Sequence, residues 1–215
     1  MKTKQGDFIE LEYIARTKGD NKIFDLTNEQ VAKENNIYQK DKNYSNVFVC
    51  LGHNDVIPGL DKQLINKDLG KHVVEVKAEE AFGKKSPQLI KLVPTNIFMK
   101  QNIKPFPGLH VNLDDIYGVI RSVSGGRTIV DFNHPLASKD LVYEIDIKRI
   151  LEKLDEKVKA VLSLVKKDIK FSLGGDKLTI DLDLKKEQQN SLSEEIKKRL
   201  PELKEIEFHK TTTPE

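Results

Sequence analysis

Two parts of one small β domain are separated in this chain by a second module. Val56-Ile57-Pro58-Gly59-Leu60 opens an amphipathic stretch, and Ala81-Phe82-Gly83 closes the segment that follows it. A further strand-like run, 141–147, comes only after a stretch that has turn and hairpin patterns of its own. Insertion at a surface loop is the tolerated way to graft one domain into another. The sequence therefore predicts an interrupted first domain with a guest module inside it.

The first domain shows alternating and helical patterns in close succession. Residues 7–14 and 71–78 alternate apolar and polar side chains, which is typical of strands. Short strands are also predicted at 23–26 and 46–51. From Leu60 the apolar residues recur at helical spacing, and we expect Gly70 to end that helix.

The guest module has the pattern of a small β-rich domain. Strands are predicted at 109–113, 117–123 and 128–132, with a turn at Ser124-Gly125-Gly126-Arg127 before the last of them. Residues 93–99 are predicted to form one helical turn.

The pattern changes again after Leu151. An apolar helical stripe, two alternating runs around Gly174-Gly175-Asp176, a second helical stripe and a last short strand follow one another. This order predicts an α-β-β-α-β segment that folds as a compact α+β domain.

Composition excludes several kinds of function. The net charge of the 215 residues is only +2, without the concentrated positive field of a nucleic-acid-binding protein. No apolar run approaches the length of a membrane span, and the N-terminal residues have no signal-peptide character, so we expect a cytoplasmic protein. The single cysteine, Cys50, lies in an apolar run and is predicted to be buried. The histidines are scattered, so we expect neither a metal nor a cofactor.

An ordered set of short motifs resembles the FKBP family of peptidyl-prolyl isomerases. The motifs are Tyr13, Phe24-Asp25, Leu51-Gly52, Val56-Ile57-x-Gly59 and Ala81-Phe82-Gly83. Residues 89–98 and 132–137 resemble the SlyD type, which carries an insert-in-flap domain, and the extension after Leu151 resembles the long archaeal FKBPs. The resemblance covers residues 1 to about 150.

The resemblance implies an α+β fold in which an antiparallel sheet wraps on a short helix, with the active site between them. We predict an isomerase domain at residues 1–83 and 129–151, an insert-in-flap chaperone domain at 84–128, and a separate C-terminal domain at 152–215.

The resemblance also implies an enzyme, a peptidyl-prolyl cis-trans isomerase that acts on X-Pro bonds. Rotation of such a bond must break amide resonance, with a barrier of ~18–20 kcal/mol, and an apolar pocket favours the twisted state without any nucleophile. The predicted catalytic residues are Tyr13, Asp25, Phe82 and Tyr143, and the predicted substrate-binding residues are Phe24, Val56, Ile57 and Leu60. The resemblance also implies that the Ile57 N–H binds a substrate carbonyl. It further implies that Asp25 lies beside the twisting imide and holds the Tyr13 hydroxyl.

The same residues leave other interpretations open. Aromatic and aliphatic residues on strands usually form a core, and Asp25 could cap a turn. Phe82 stands where the family usually has Tyr, Tyr143 where Phe is usual, and Leu60 where members have Trp or Leu. The alternative function is therefore a module that binds proline segments or unfolded chains, in which isomerisation is weak or vestigial.

The expected partners are unfolded or partly folded polypeptides that contain X-Pro bonds. Apolar residues of the insert are predicted to form a chaperone surface, with the insert's own core as the alternative: Leu92, Val93, Ile97, Phe98, Met99 and Phe106. An open edge strand in the C-terminal domain predicts a homodimer, and the alternative is a monomeric appendage packed on its own chain.

Overall fold

The computed structural model describes residues 1–113, 115–166 and 168–209. The chain divides into two compact units. Unit one contains Met1–Arg16, Ile23–Glu75 and the chain from Val142 onward, and unit two contains Thr17–Lys22 and Val76–Leu141. The final residues of the predicted C-terminal domain lie outside the described part.

The N-terminal part of the chain builds most of the first sheet. It forms β1 (Phe8–Thr17), β2 (Ile23–Leu26), α1 (Glu29–Glu34), β3 (Val47–Cys50), α2 (Pro58–Leu64) and β4 (Gly70–Val76). β1 pairs antiparallel with β3 along its first half and with β2 along its second.

The helix α2 is shorter than the sequence predicts. Pro58 is a suitable first helical residue, because the N–H that it lacks would have no intrahelical partner there. The helix ends at Leu64, whose carbonyl accepts a hydrogen bond of 2.6 Å from the Thr3 hydroxyl. Ile65 is already extended, so the prediction that Gly70 ends the helix is wrong, and Gly70 begins β4 instead.

Unit two has a four-stranded antiparallel sheet. Its elements are short 3₁₀ turns at Ala78–Glu80 and Pro87–Leu89, then β5 (Ile90–Pro94), α3 (Thr95–Lys100), β6 (His110–Leu113), β7 (Ile116–Ser124) and β8 (Arg127–Asp131). The strand order is β5-β8-β7-β6. One face of this sheet and α3 enclose a core of Phe98, Val111, Ile120 and Val130. The sequence prediction missed β5 and began the helical turn two residues early, at Val93.

The chain returns to the first sheet after the second one. β9 (Leu141–Ile150) lies between β1 and β4, which completes the strand order β2-β1-β9-β4 with β3 also paired to β1. Its residues alternate between buried and more exposed positions, with Tyr143, Ile145 and Ile147 on the buried face. Two stretches distant in sequence therefore share one sheet.

The remaining elements are α4 (Leu154–Ser163), β10 (Phe171–Gly174), β11 (Lys177–Asp181), α5 (Lys186–Arg199) and β12 (Glu205–His209). They form a sheet of order β10-β11-β12, with β12 parallel to β11. Their buried core is continuous with Phe8, Cys50 and Leu151 of the first sheet. These C-terminal elements therefore pack on their own chain, and the division into three domains stays a prediction. None of the helices in the described residues is long and apolar enough to cross a membrane.

Candidate active site

A tyrosine and an aspartate meet at the paired ends of β1 and β2. The strand register places Asp25 opposite Ala15, near Tyr13. The Tyr13 hydroxyl donates to Asp25 Oδ2 at 2.5 Å. Asp25 Oδ1 accepts from Lys42 Nζ at 2.5 Å and from the backbone N–H of Leu26 at 2.9 Å. These three donors fix the orientation of the carboxylate.

Three aromatic rings pack together beside this Tyr13–Asp25 pair. Tyr143 on β9 is 7% exposed, and its ring centroid lies 6.0 Å from that of Tyr13 and 6.1 Å from that of Phe24. The Phe24 ring meets Tyr143 edge to face, which is a favoured arrangement for aromatic pairs. The structure thus brings together Tyr13, Phe24, Asp25 and Tyr143, which we call the aromatic cluster.

Burial raises the pKa of both tyrosine hydroxyls above the ordinary value. Burial, reinforced by the charge of Asp25, raises the pKa of Tyr143 to about 12. Burial and the hydrogen bond to Asp25 raise the pKa of Tyr13 further. At neutral pH both side chains are therefore hydrogen-bond donors and acceptors in a partly buried, aromatic setting, and neither is a base or a nucleophile.

The loop before α2 and the first turn of α2 supply the three aliphatic residues of the predicted site. Leu60 is 3% exposed, and Val56 and Ile57 are half-buried. The Ile57 carbonyl accepts from the N–H groups of Leu60 and Asp61, at 2.9 and 3.0 Å. Among the described residues, no acceptor is found for the Ile57 N–H. This amide is therefore available to a ligand.

Phe82 belongs to unit two, where its ring stacks on His134. The two ring centroids are 4.2 Å apart and the planes differ by 6°. The His134 carbonyl also accepts from the Ala137 N–H at 2.9 Å, as in a turn. The sequence predicts Phe82 as a site residue but gives no signal for its histidine partner.

Sequence reasoning missed the basic and aromatic residues of the loop between β2 and β3. Lys42 joins Asp25 to Tyr44, since its ammonium group also lies 5.6 Å from the Tyr44 ring centroid. Tyr44 stacks on Tyr38 with a centroid distance of 5.5 Å. The loop is polar and has no periodicity, so no pattern could have identified these residues.

The residues of the predicted chaperone surface fall into an exposed group and a buried group in unit two. Leu92, Ile97, Met99 and Phe106 are between 39% and 58% exposed. Phe98 is completely buried and Val93 packs against the same core, so the prediction of a surface position is wrong for Phe98. The reason is that α3 turns Phe98 toward the sheet.

Two exposed residues of unit two were not predicted. Ile116 and Tyr117, at the start of β7, are 57% and 77% exposed. They lie next to the tip of the β6–β7 hairpin. A large apolar side chain beside a hairpin turn is expected to be exposed, so the sequence contained a signal for these two surface positions.

The remaining candidate reactive groups are the thiol of Cys50 and any cluster of metal-binding side chains. Cys50 is 1% exposed, which confirms its predicted burial, and burial raises the pKa of its thiol to about 12. Within the described residues, no group of three or more His, Cys, Asp or Glu side chains is placed to bind a metal.

Comparison with known proteins places these features in one family. Residues 91–136 match the family model described as "FKBP26, IF domain". The short-type peptidyl-prolyl cis-trans isomerase of Methanocaldococcus jannaschii is 29% identical over 148 residues, which cover 68% of this chain and 93% of that protein. The FKBP-type 16 kDa peptidyl-prolyl cis-trans isomerase of Escherichia coli K12 is 33% identical over 106 residues, 46% of this chain and 70% of that protein. The SlyD isomerase of Haemophilus influenzae is 32% identical over 102 residues, 45% of this chain and 53% of that protein.

Proposed function

This chain belongs to the FKBP-type peptidyl-prolyl cis-trans isomerases, and from that premise we propose that the aromatic cluster is where it rotates X-Pro bonds. The observation that carries the proposal is the Tyr13–Asp25 hydrogen bond beside the buried ring of Tyr143, which also meets Phe24. The family motifs predict that these residues, which lie on different strands, come together in this way.

The proposed mechanism depends on desolvation and orientation. The rings exclude water from the imide, which favours the twisted state because twisting reduces the charge separation of amide resonance. Asp25 stays fixed by its three donors, so it presents a constant electrostatic field to the turning bond. No covalent bond to the protein forms, and no proton has to leave the enzyme.

The Ile57 N–H would hold the substrate during this rotation. It lies at the entry to α2 beside Val56, without an acceptor among the described residues. A substrate carbonyl would supply that acceptor, and Val56 and Leu60 would contact the proline ring. The catalytic role of Phe82 stays a prediction.

An exchange experiment tests the proposal directly. The full chain, at a small fraction of the peptide concentration, is added to a short peptide with one X-Pro bond, and the cis-trans exchange rate is followed by NMR. We expect exchange well above the buffer rate. A rate equal to that in buffer, with the chain folded, would reject the aromatic cluster as a catalytic site.

Phe82 supports a second candidate function. Its ring carries no hydroxyl and is stacked on His134. A site without that donor could bind a proline segment while isomerising it slowly. In the same NMR experiment, shifted peptide resonances without faster exchange would favour this function.

The insert is proposed to capture clients for the isomerase. Ile90 and Leu92 lie on the face of β5 opposite Val93, and Leu92 pairs with Ile129 of β8. Unit two therefore uses one sheet face for its core and leaves large apolar side chains on the other, a feature of surfaces that bind other chains. Unfolded polypeptides with X-Pro bonds fit such a surface, and a cytoplasmic location remains part of the proposal.

A homodimer through the C-terminal elements is also proposed. Packing on Phe8 and Cys50 covers apolar residues of α4 and α5, but β10 and β12 remain the edges of their sheet. Pairing of two such edges would protect them and would place two isomerase sites in one particle. Light scattering of the full chain at micromolar concentration should give a dimer mass, and a monomer mass would reject the pairing.

A further inference from the structure

A short loop joins β3 to α2 and delivers the two residues that are proposed to hold substrate, Val56 and Ile57. Its backbone is fixed by carboxylates. Asp61, which is 4% exposed, accepts from the N–H groups of Gly52 at 2.9 Å and Asn54 at 3.0 Å. The path of the loop therefore depends on buried acidic side chains rather than on strand pairing.

The second carboxylate, Asp55, directly precedes Val56 and is held by the C-terminal part of the chain. Its Oδ2 accepts from the Cys50 N–H at 2.8 Å, and its Oδ1 accepts from Arg199 Nη2 at 2.6 Å. The Asp55 and Arg199 side chains are 5% and 6% exposed. Glu195, one turn earlier in α5, accepts from the other terminal nitrogen of Arg199. The last residue of α5 thus touches the substrate-binding loop.

Neither the helix nor the stability of the fold requires this contact. A cation suits a helix C-terminus, but the exposed Lys197 and Lys198 already supply positive charge there. Burying an ion pair costs desolvation that the mutual attraction often only balances. Within the described residues, the buried Arg199 Nε also has no hydrogen-bond partner, which adds to the cost. The apolar core around Val158 already attaches the C-terminal elements to the first sheet.

We propose that Arg199 is a positioning residue for the isomerase: it fixes Asp55, and through Asp55 it sets the backbone of Val56 and Ile57 that receives the substrate. The inference rests on the proposed role of the Ile57 N–H. Under it, the C-terminal elements complete the substrate-binding loop. A displaced Ile57 N–H would bind the substrate carbonyl more weakly, because a hydrogen bond weakens steeply away from its preferred distance and angle.

Three full-length variants separate positioning from simple stabilisation. Arg199→Met leaves Asp55 buried without its partner, whereas the double variant Asp55→Asn with Arg199→Met removes both charges and keeps an acceptor for the Cys50 N–H. Val158→Ala is the matched control, since it leaves a cavity in the same core and removes no charge and no hydrogen bond. KM and kcat for a short X-Pro peptide, and the thermal midpoint, are measured for each.

We expect KM to rise between about twofold and thirtyfold in Arg199→Met, with kcat little changed, because a binding contact is misplaced. The double variant should recover most of the lost thermal stability and keep the raised KM. Val158→Ala should lower the thermal midpoint and leave KM unchanged. The backbone amide resonances of Val56 and Ile57 should shift in the first two variants and stay in place in the third.

Two results would overturn the inference. One is a double variant whose KM returns to that of the wild type together with its stability, and the other is a Val158→Ala variant whose KM rises as much as that of Arg199→Met. A wild-type chain that does not accelerate exchange would end the proposed function and this inference with it. An active wild type with either of the two results would end this inference alone.

Discussion

The large side chains of the aromatic cluster in unit one are packed and fixed, whereas those of the exposed group in the predicted chaperone surface of unit two are open to solvent. In the cluster, Tyr143 is 7% exposed and three donors fix Asp25. In unit two, Met99 and Phe106 are 58% and 55% exposed. A fixed, packed geometry suits one transition state, whereas an open apolar surface suits many different chains. The two regions therefore fit two successive tasks, rotating a bond and holding the polypeptide that contains it.

Removal of the insert is expected to have the largest effect, because it should abolish client holding while leaving bond rotation intact. If residues 84–128 are replaced by a short loop, turnover of a short X-Pro peptide should stay near that of the wild type. Catalysis of a proline-limited protein refolding reaction should fall by about 100-fold. Without the insert the client is no longer tethered, so its X-Pro bonds lose their high effective concentration at the active site. Peptide exchange by NMR and refolding by fluorescence measure the two rates.

Surface variants provide a control that keeps the insert folded. The triple variant Leu92→Ser, Met99→Ser and Phe106→Ser should also lower the rate of catalysed refolding, as removal of the insert does. Val73→Ser changes an even more exposed apolar residue, 70% accessible on β4 of unit one, and should have no effect. Equal refolding by the wild type and the chain without its insert would contradict client capture.

The second prediction concerns a buried carboxylate of unit two. Asp131 accepts hydrogen bonds from Lys85, Arg121 and Asn133. Burial alone would raise its pKa, but these bonds outweigh burial and hold the pKa well below its ordinary value of 3.8. A lowered pKa in the folded state means that the carboxylate stabilises the fold above about pH 4, and that this contribution is lost as the pH falls further.

Asp131→Asn should therefore destabilise unit two at pH 7 by roughly 2 kcal/mol, the size of a charged hydrogen bond. The difference between variant and wild type should shrink as the pH falls below 4. Urea unfolding at several pH values, followed by the NMR signals of unit two, measures it. A difference that is independent of pH would show that the charge of Asp131 contributes nothing. Peptide turnover should change less than stability.

The third prediction tests the aromatic cluster. Asp25→Ala removes the acceptor of the Tyr13 hydroxyl, and Tyr143→Ala removes the ring that meets both Tyr13 and Phe24. Each should lower kcat/KM for a short peptide by about tenfold, the effect of one such contact. Tyr143→Phe is the matched control, because it keeps the ring and should retain most of the activity. Wild-type rates in both alanine variants would place catalysis elsewhere.

Much of the fold was predictable because periodicity reports which face of an element is buried. The alternation of residues 71–78 predicts the strand that the structure shows at β4, and β2 has the predicted bounds, Ile23–Leu26. Periodicity is weak in very short elements. Phe98 and Met99 are neighbours in the six-residue helix α3, yet one is buried and the other 58% exposed. Only the docking of α3 on its sheet decides between them.

Contacts between distant loops could not be predicted. The Lys42–Asp25 pair joins a polar loop without periodicity to the end of a strand. Arg199 and Asp55 are 144 positions apart, and each looks in sequence like a solvated charge. Motif order, by contrast, predicts Tyr13, Phe24, Asp25 and Tyr143 as one site, because a family motif records a spatial relation that local patterns do not.

The smallest effect is expected from restoring a hydroxyl at position 82. Phe82 is half-buried and its ring stacks on His134, so Phe82→Tyr keeps the stacked ring and adds one hydrogen-bond donor. If Phe82 has its predicted catalytic role, the added donor should raise kcat/KM by roughly twofold to tenfold, which corresponds to about 0.5–1.5 kcal/mol for a neutral hydrogen bond. His134→Ala is the companion variant, since it removes the stacking partner and leaves position 82 unchanged. An unchanged rate in Phe82→Tyr, with the stack intact by NMR, would show that the missing hydroxyl does not limit this enzyme. The contrast between a catalytic unit one and a client-binding unit two would then be sharper, because Phe82 would act there as a structural ring.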